Sequence, residues 1–124
     1  MHKLAFVMLL GAVGTLARYA LSMGVARVGT SGFPWGTLVV NLGGCFLFGL
    51  VLTLGRERGV LSLEWTQILL VGFMGAFTTF SSFVNDTAAL ALSDQMGGAA
   101  LNVVVQNVGG IACFFAGAAL ARLG

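Results

Sequence analysis

The sequence has 124 residues, of which 58% are hydrophobic and only 8% are charged, and its net charge is +2. Soluble domains are about 45–50% apolar and about 25% charged, so this composition leaves too few charges to coat a soluble globule. It also argues against a nucleic-acid-binding protein, which needs a basic patch or stripe. We therefore expect an all-α membrane protein in which residues 1–124 form a single membrane domain.

Four apolar stretches are long enough to cross a bilayer, because about 20 apolar residues span about 30 Å of hydrocarbon. The predicted spans are residues 4–26, 35–55, 63–93 and 99–121. The basic start and short apolar run of the first stretch are also typical of a signal peptide. Its apolar pattern continues past Arg18, however, so we expect a retained span followed by a turn at residues 29–34.

The third stretch is long for one helix, and Gly72–Phe83 contains two glycines followed by four hydroxyl residues. This pattern predicts a break, which at membrane depth needs partners from protein or from a water-filled cavity. Carbonyls released at such a break suit a cation. Phe80 and Phe83 lie on nearly the same face, where they either pack or present their positive ring edges to an anion.

Several polar residues lie within the apolar stretches and have two possible roles each. Arg18 is either an interfacial anchor or a fixed positive charge that attracts anions to a vestibule. Thr37 and Asn41 are four residues apart and share a helical face. Asn41 forms either an interhelical hydrogen bond or a donor to a permeating anion.

In the last span, Asn102 and Gln106 also share a face. Together with the polar residues of the second and third spans, they are compatible with a polar track through the protein. Asp86 is either a proton or cation group or a hydrated carboxylate near the end of its span. Cys45 and Cys113 show no metal-ligand spacing, so we expect buried free thiols.

The basic residues are distributed with only a weak bias between the two sides of the membrane. With four spans, one side carries Lys3, Arg56, Arg58 and Arg122, and the other carries Arg27 and Arg18. The positive-inside rule therefore favours cytoplasmic termini only weakly, and insertion in both orientations is compatible with the sequence.

Three segments in order resemble the small bacterial fluoride channels of the Fluc or CrcB type. Gly11–Tyr19 resembles their glycine-rich first span, which ends in Arg-Tyr. Gly36–Gly44 is similar to their Gly-Thr-Leu-x-Val-Asn-x-x-Gly segment, and Gly72–Phe83 is similar to their Gly-x-x-Gly-x-x-Thr-Thr-Phe-Ser-Thr-Phe segment. The resemblance implies a passive fluoride-selective channel in the bacterial cytoplasmic (inner) membrane, which exports cytoplasmic fluoride through two pores of a dual-topology antiparallel homodimer.

The resemblance also implies roles for individual residues. Phe80 and Phe83 would line the fluoride path, Asn41 would donate to the ion, and Arg18 would lie at the vestibule. The hydroxyl groups of the polar region would be those of Thr37, Thr79, Ser81 and Ser82. The backbone carbonyls of Gly75 and Thr78 would bind a structural Na⁺ at the dimer axis.

The sequence departs from the family pattern at two places. Ser82 replaces the usual threonine and keeps the hydroxyl group. Asn102 and Gln106 stand where the family often has a tyrosine and serine track; they keep its polarity but change its chemistry, and we expect a polar track of the pore at this position.

Two other membrane functions remain as alternatives. A small multidrug-type coupled transporter relies on a glutamate within the first span, whereas Glu57 and Glu64 flank a loop here. An accessory membrane subunit would use its polar residues only for helix packing. We do not expect an enzyme, because His2 is the single histidine and no nucleophile, base and orienting group can be assembled.

Overall fold

The computed structural model describes residues 2–29 and 32–124, so Thr30 and Ser31 of the predicted turn lie outside the described residues. Four helical stretches in the described part are long and apolar enough to cross a membrane: His2–Val28, Trp35–Arg56, Leu63–Leu92 and Met96–Leu123. The prediction of an all-α membrane protein with four spans is confirmed. We call these stretches the first to fourth spans.

The third and fourth spans are composite helices. The third contains an α-helix, a π-helical segment and two further α-helices, at Leu63–Ile68, Leu69–Met74, Gly75–Phe77 and Phe80–Leu92. Between the last two, Thr78 and Thr79 have extended backbone, with ψ angles of 156° and 109°. The fourth consists of Met96–Val104, the π-helical segment Val105–Gly109 and Gly110–Leu123.

Glycine brings the second and fourth spans into close contact. A Cβ atom added to Gly49 would overlap the carbonyl oxygen of Phe114, and one added to Gly117 would overlap the carbonyl oxygen of Phe46. Small residues allow helix backbones to approach in this way in lipid, where dispersion replaces the hydrophobic effect. The two cysteines, Cys45 and Cys113, are free thiols, but both are half-buried and not buried as predicted.

Ion pairs join the chain segments at one end of the helix bundle. Lys3 Nζ lies 3.3 Å from Glu64 Oε1, and the Arg122 guanidinium donates to both oxygens of Glu57 at 2.7 Å. Arg58 donates to the carbonyls of Ala121 and Arg122, each at 3.1 Å, which satisfies free acceptors at the end of the fourth span. The start of the first span, the loop after the second and the end of the fourth therefore share one end of the bundle.

Candidate functional site

A cavity of about 290 Å³ lies beside the extended residues of the third span. We call it the phenylalanine cavity. Its wall includes six residues from the second, third and fourth spans: Asn41, Thr78, Thr79, Phe80, Phe83 and Gln106. The structure therefore brings together Asn41 and the two phenylalanines that the sequence singled out.

The two rings lie next to each other with their centroids 5.5 Å apart and their planes at 49°. Phe80 is the first residue of the helix that follows the extended backbone, and Phe83 is one turn later. Phe80 is 76% exposed, so little of its ring packs against its own chain. A tilted, accessible ring can offer its positively polarised edge to a negative group.

Asn41 binds the backbone of the extended residues through its side-chain amide. Its Oδ1 accepts the N–H of Thr79 at 2.8 Å, and its Nδ2 donates to the Thr79 carbonyl at 3.1 Å. The two segments can approach because Gly44 has no side chain: a Cβ there would overlap Cγ2 of Thr78. Asn41 thereby satisfies backbone groups that a continuous helix would pair internally.

A row of hydrogen-bonded amides runs from Asn41 into the fourth span. Asn41 Nδ2 donates to Gln106 Oε1 at 2.8 Å, and Gln106 Nε2 donates to Asn102 Oδ1 at 3.2 Å. Asn102 is 0% exposed and donates to Thr87 Oγ1 at 2.9 Å, and Thr87 donates to the Phe83 carbonyl at 2.7 Å. We call Asn41, Gln106 and Asn102 the amide row.

A second cavity of about 390 Å³ is lined by Arg18 and lies next to Thr79. We call it the arginine cavity; it is also lined by Thr37 and Ser82, and Thr79 lines both cavities. None of residues 2–29 and 32–124 forms an ion pair with Arg18. Its positive charge is therefore not neutralised by a carboxylate in direct contact within the described chain, and it can attract an anion.

The hydroxyl groups near the extended backbone form a small cluster. Thr79 Oγ1 lies 3.0 Å from Ser82 Oγ and 3.4 Å from Ser81 Oγ, and it accepts the Ser82 N–H at 3.2 Å. Thr79 thus caps the helix that begins at Phe80. Ser81 is exposed and Ser82 is half-buried at the arginine cavity.

Thr37 has a partner that spacing alone does not indicate. Its Oγ1 donates to Asp86 Oδ2 at 2.6 Å, within the short range expected of a hydroxyl bonded to a carboxylate. Asp86 is half-buried, so this bond replaces part of the water that its carboxylate would otherwise need.

The chemistry of Gly75 and Thr78 fits a small hard cation. In a continuous helix the Gly75 carbonyl would accept the Thr79 N–H, but that N–H donates to Asn41 Oδ1. The Thr78 carbonyl would accept the Ser82 N–H, which donates instead to Thr79 Oγ1. Both carbonyls therefore lack their usual helical donor, and carbonyl oxygen is a ligand that hard cations prefer.

The sequence did not indicate that Thr87 is the hydrogen-bond partner of Asn102, or which side chain each amide of the amide row binds. Thr87 follows Phe83 by four residues, so its back-bond to that carbonyl has a local signal. The Asn41–Gln106 bond joins residues 65 apart in sequence, and helical spacing cannot identify such a partner.

Comparison with known proteins agrees with these motifs. The sequence profile of a family described as "CrcB-like protein, Camphor Resistance (CrcB)" matches residues 5–118. The chain belongs to the CrcB family. The resemblance derived from the three sequence motifs is therefore confirmed.

Curated relatives match the chain over nearly its full length. A protein named "Fluoride-specific ion channel FluC" from Solidesulfovibrio magneticus is 50% identical over 99% of this chain and 98% of its own length. Proteins of the same name from Desulforapulum autotrophicum and Nitrosococcus oceani are 47% and 45% identical, each over 98% of both chains. The three alignments therefore include all four spans of this chain.

Proposed function

We propose that this protein is a passive fluoride-selective ion channel and not an enzyme. The observation that carries the proposal is the phenylalanine cavity, in which the Asn41 amide and the rings of Phe80 and Phe83 meet beside Thr79. The names of the full-length relatives support the same function.

The chemistry of the cavity suits a small, strongly hydrated anion. A selective pore must replace the water around fluoride with closely placed donors, yet bind the ion weakly enough to release it. Ring edges of Phe80 and Phe83 and hydroxyls of the Thr79 cluster supply such donors, and the Asn41 N–H that faces Gln106 joins them when that hydrogen bond opens. The uncompensated charge of Arg18 in the arginine cavity raises the local anion concentration, and Thr37 and Ser82 line the same entrance.

The proposed channel is an antiparallel homodimer with two pores. Phe80 is 76% exposed in a single chain, and a second copy would cover such a ring. Contacts across a two-fold axis occur twice, so one pore implies a second. The weak charge bias between the two sides is compatible with chains inserted in opposite directions.

We further propose that Thr78 and Thr79 form a functional break in the third span and that Na⁺ binds there. The carbonyls of Gly75 and Thr78 supply two oxygens per chain, and two chains would supply four at the dimer axis. The ion would be structural: it would hold the carbonyl oxygens of the two chains together and would not be transported.

The site of action is the bacterial cytoplasmic membrane, where the chain forms a single membrane domain. Passive conduction there lets fluoride leave the cytoplasm after entering as neutral hydrogen fluoride and dissociating.

The first span fits a multidrug-type exchanger less well than a channel. Such an exchanger needs a carboxylate in this span to couple transport, and residues 2–28 contain none. If the chain were an accessory subunit, its polar residues would serve only helix packing, and the accessible rings of Phe80 and Phe83 beside the Asn41 amide would have no role.

The proposal is tested with purified protein in liposomes loaded with potassium fluoride or potassium chloride. Valinomycin balances the charge, and an ion-selective electrode records efflux. We expect rapid fluoride efflux and chloride efflux close to that of protein-free liposomes. Fluoride efflux no faster than from protein-free liposomes would refute the proposal, and equal rates for both ions would refute selectivity.

A further inference from the structure

The side chain of Asn41 has no free N–H group. Thr79 fixes its orientation, because Oδ1 faces the Thr79 N–H at 2.8 Å and Nδ2 faces the Thr79 carbonyl at 3.1 Å. Turning the amide over would place like groups against each other. The second N–H must then point to Gln106 Oε1, which lies 2.8 Å away. Both donors of Asn41 are therefore bonded to protein oxygens.

The fixed orientation of Asn41 sets the direction of the whole amide row. Gln106 presents its oxygen to Asn41, so its Nε2 faces Asn102 Oδ1, and Asn102 in turn donates to Thr87. Every hydrogen bond in the row points the same way, from the Thr79 N–H to the Phe83 carbonyl. Bonds arranged head to tail polarise one another, so the row is a coupled unit.

Gln106 is the least confined member of the row, because Asn41 is held by two hydrogen bonds to Thr79. Asn102 is fully buried, whereas Gln106 is half-buried and lines the phenylalanine cavity. Gln106 also lies in the π-helical segment Val105–Gly109, a local irregularity that is frequent at functional sites. Its bond to Asn102, at 3.2 Å, is the longest in the row.

We propose that the side-chain oxygen of Gln106 is displaced by the permeating anion, so that Gln106 sets the affinity of this site for fluoride. Its Oε1 occupies the acceptor position on the second Asn41 N–H, and rotation of the Gln106 side chain into the cavity exposes that N–H to fluoride. Asn102 is a positioning residue: its bond to Gln106 Nε2 holds the Gln106 oxygen against Asn41. This inference rests on the proposed function.

Two substitutions of Gln106 have opposite expected effects on the half-saturating fluoride concentration. Gln106→Met keeps the side-chain length but removes the competing acceptor, so the half-saturating concentration falls about fivefold, the effect of one net hydrogen bond. Gln106→Glu keeps an acceptor and adds a negative charge, so the half-saturating concentration rises by at least as much.

Two further variants separate this role from a purely structural one. Asn102→Leu releases Gln106 from its anchor, so we expect a change in the same direction as Gln106→Met but smaller. Gln67→Met repeats the substitution at an exposed position of the third span and is expected to leave the half-saturating concentration unchanged. All rates are initial fluoride effluxes from liposomes over a series of fluoride concentrations.

The outcomes distinguish this inference from the proposed function. If the unchanged protein carries no fluoride, the proposed function fails. If it carries fluoride and Gln106→Met leaves the half-saturating concentration within twofold or raises it, the displacement inference is overturned. Should Gln106→Met not fold, the unchanged protein is labelled with ¹⁵N-glutamine, of which the sequence has three, and titrated with fluoride. A side-chain amide resonance of Gln106 that does not move overturns the inference.

Discussion

Replacing Asn41 by alanine tests whether this side chain holds the extended residues in place. The change removes three hydrogen bonds, two to the Thr79 peptide groups and one to Gln106. Each is worth about 1 kcal/mol net, and a buried backbone group left unpaired costs about 1–3 kcal/mol. We expect the free energy of unfolding to fall by about 3 kcal/mol, since Thr79 is half-buried and water reaches its peptide only in part.

Asn107→Ala is the matched control, because Asn107 also lines the phenylalanine cavity but is exposed. Its Nδ2 donates to the Val103 carbonyl of its own helix at 2.7 Å, and water can replace that bond. We expect a loss of less than about 0.5 kcal/mol. Both variants are unfolded in detergent with increasing dodecyl sulfate and followed by circular dichroism. A loss below about 1 kcal/mol for Asn41→Ala would refute the reasoning.

Three further predictions concern the rings, the helix contacts and the ion pair. Phe80→Ile should lower fluoride efflux about fivefold with unchanged helix content, because about 1 kcal/mol of ring-edge interaction is lost. Phe115→Ile, on an exposed face, should leave the efflux unchanged. Equal rates for the two variants would mean that Phe80 is only a packing residue. Gly49→Ala should destabilise the protein by about 1–3 kcal/mol in the same unfolding assay, because its Cβ would overlap the Phe114 carbonyl. Gly97→Ala, which has open space, should be nearly neutral, and similar losses at both glycines would contradict the close contact. The hydrogen bond from Arg122 holds the pKa of Glu57 below its ordinary value of 4.5, so the pair stabilises the folded protein above that pH. The stability difference between the unchanged protein and Glu57→Gln should therefore shrink as the pH falls below 4.5, and a difference independent of pH would contradict the pairing.

The spans could be predicted from the sequence, whereas the partners of the polar side chains could not. Apolar stretches of sufficient length dictate where helices cross the membrane, and the observed helices begin and end close to the predicted bounds. The shared faces of Phe80 with Phe83 and of Asn102 with Gln106 also follow from helical spacing. Spacing identifies a face but not the helix opposite to it.

Thr37 and Asp86 illustrate this limit. They are 49 residues apart, and the sequence offered no reason to pair them before the second and third spans were placed together. The π-helical segments Leu69–Met74 and Val105–Gly109 have no compositional signal either. Residues of both segments contact neighbouring spans, and single-sequence patterns do not contain such contacts.

The extended backbone at Thr78 and Thr79 separates donors from acceptors within a few residues. Asn41 and the Thr79 hydroxyl take the N–H groups of Thr79 and Ser82, which leaves the carbonyls of Gly75 and Thr78 without their helical donors. In an unbroken helix the interior N–H and C=O groups bond to each other, so neither is available to bind an ion. On the proposed function, the carbonyls of Gly75 and Thr78 are the Na⁺ ligands, and the residues that hold the extended backbone in place border the fluoride path.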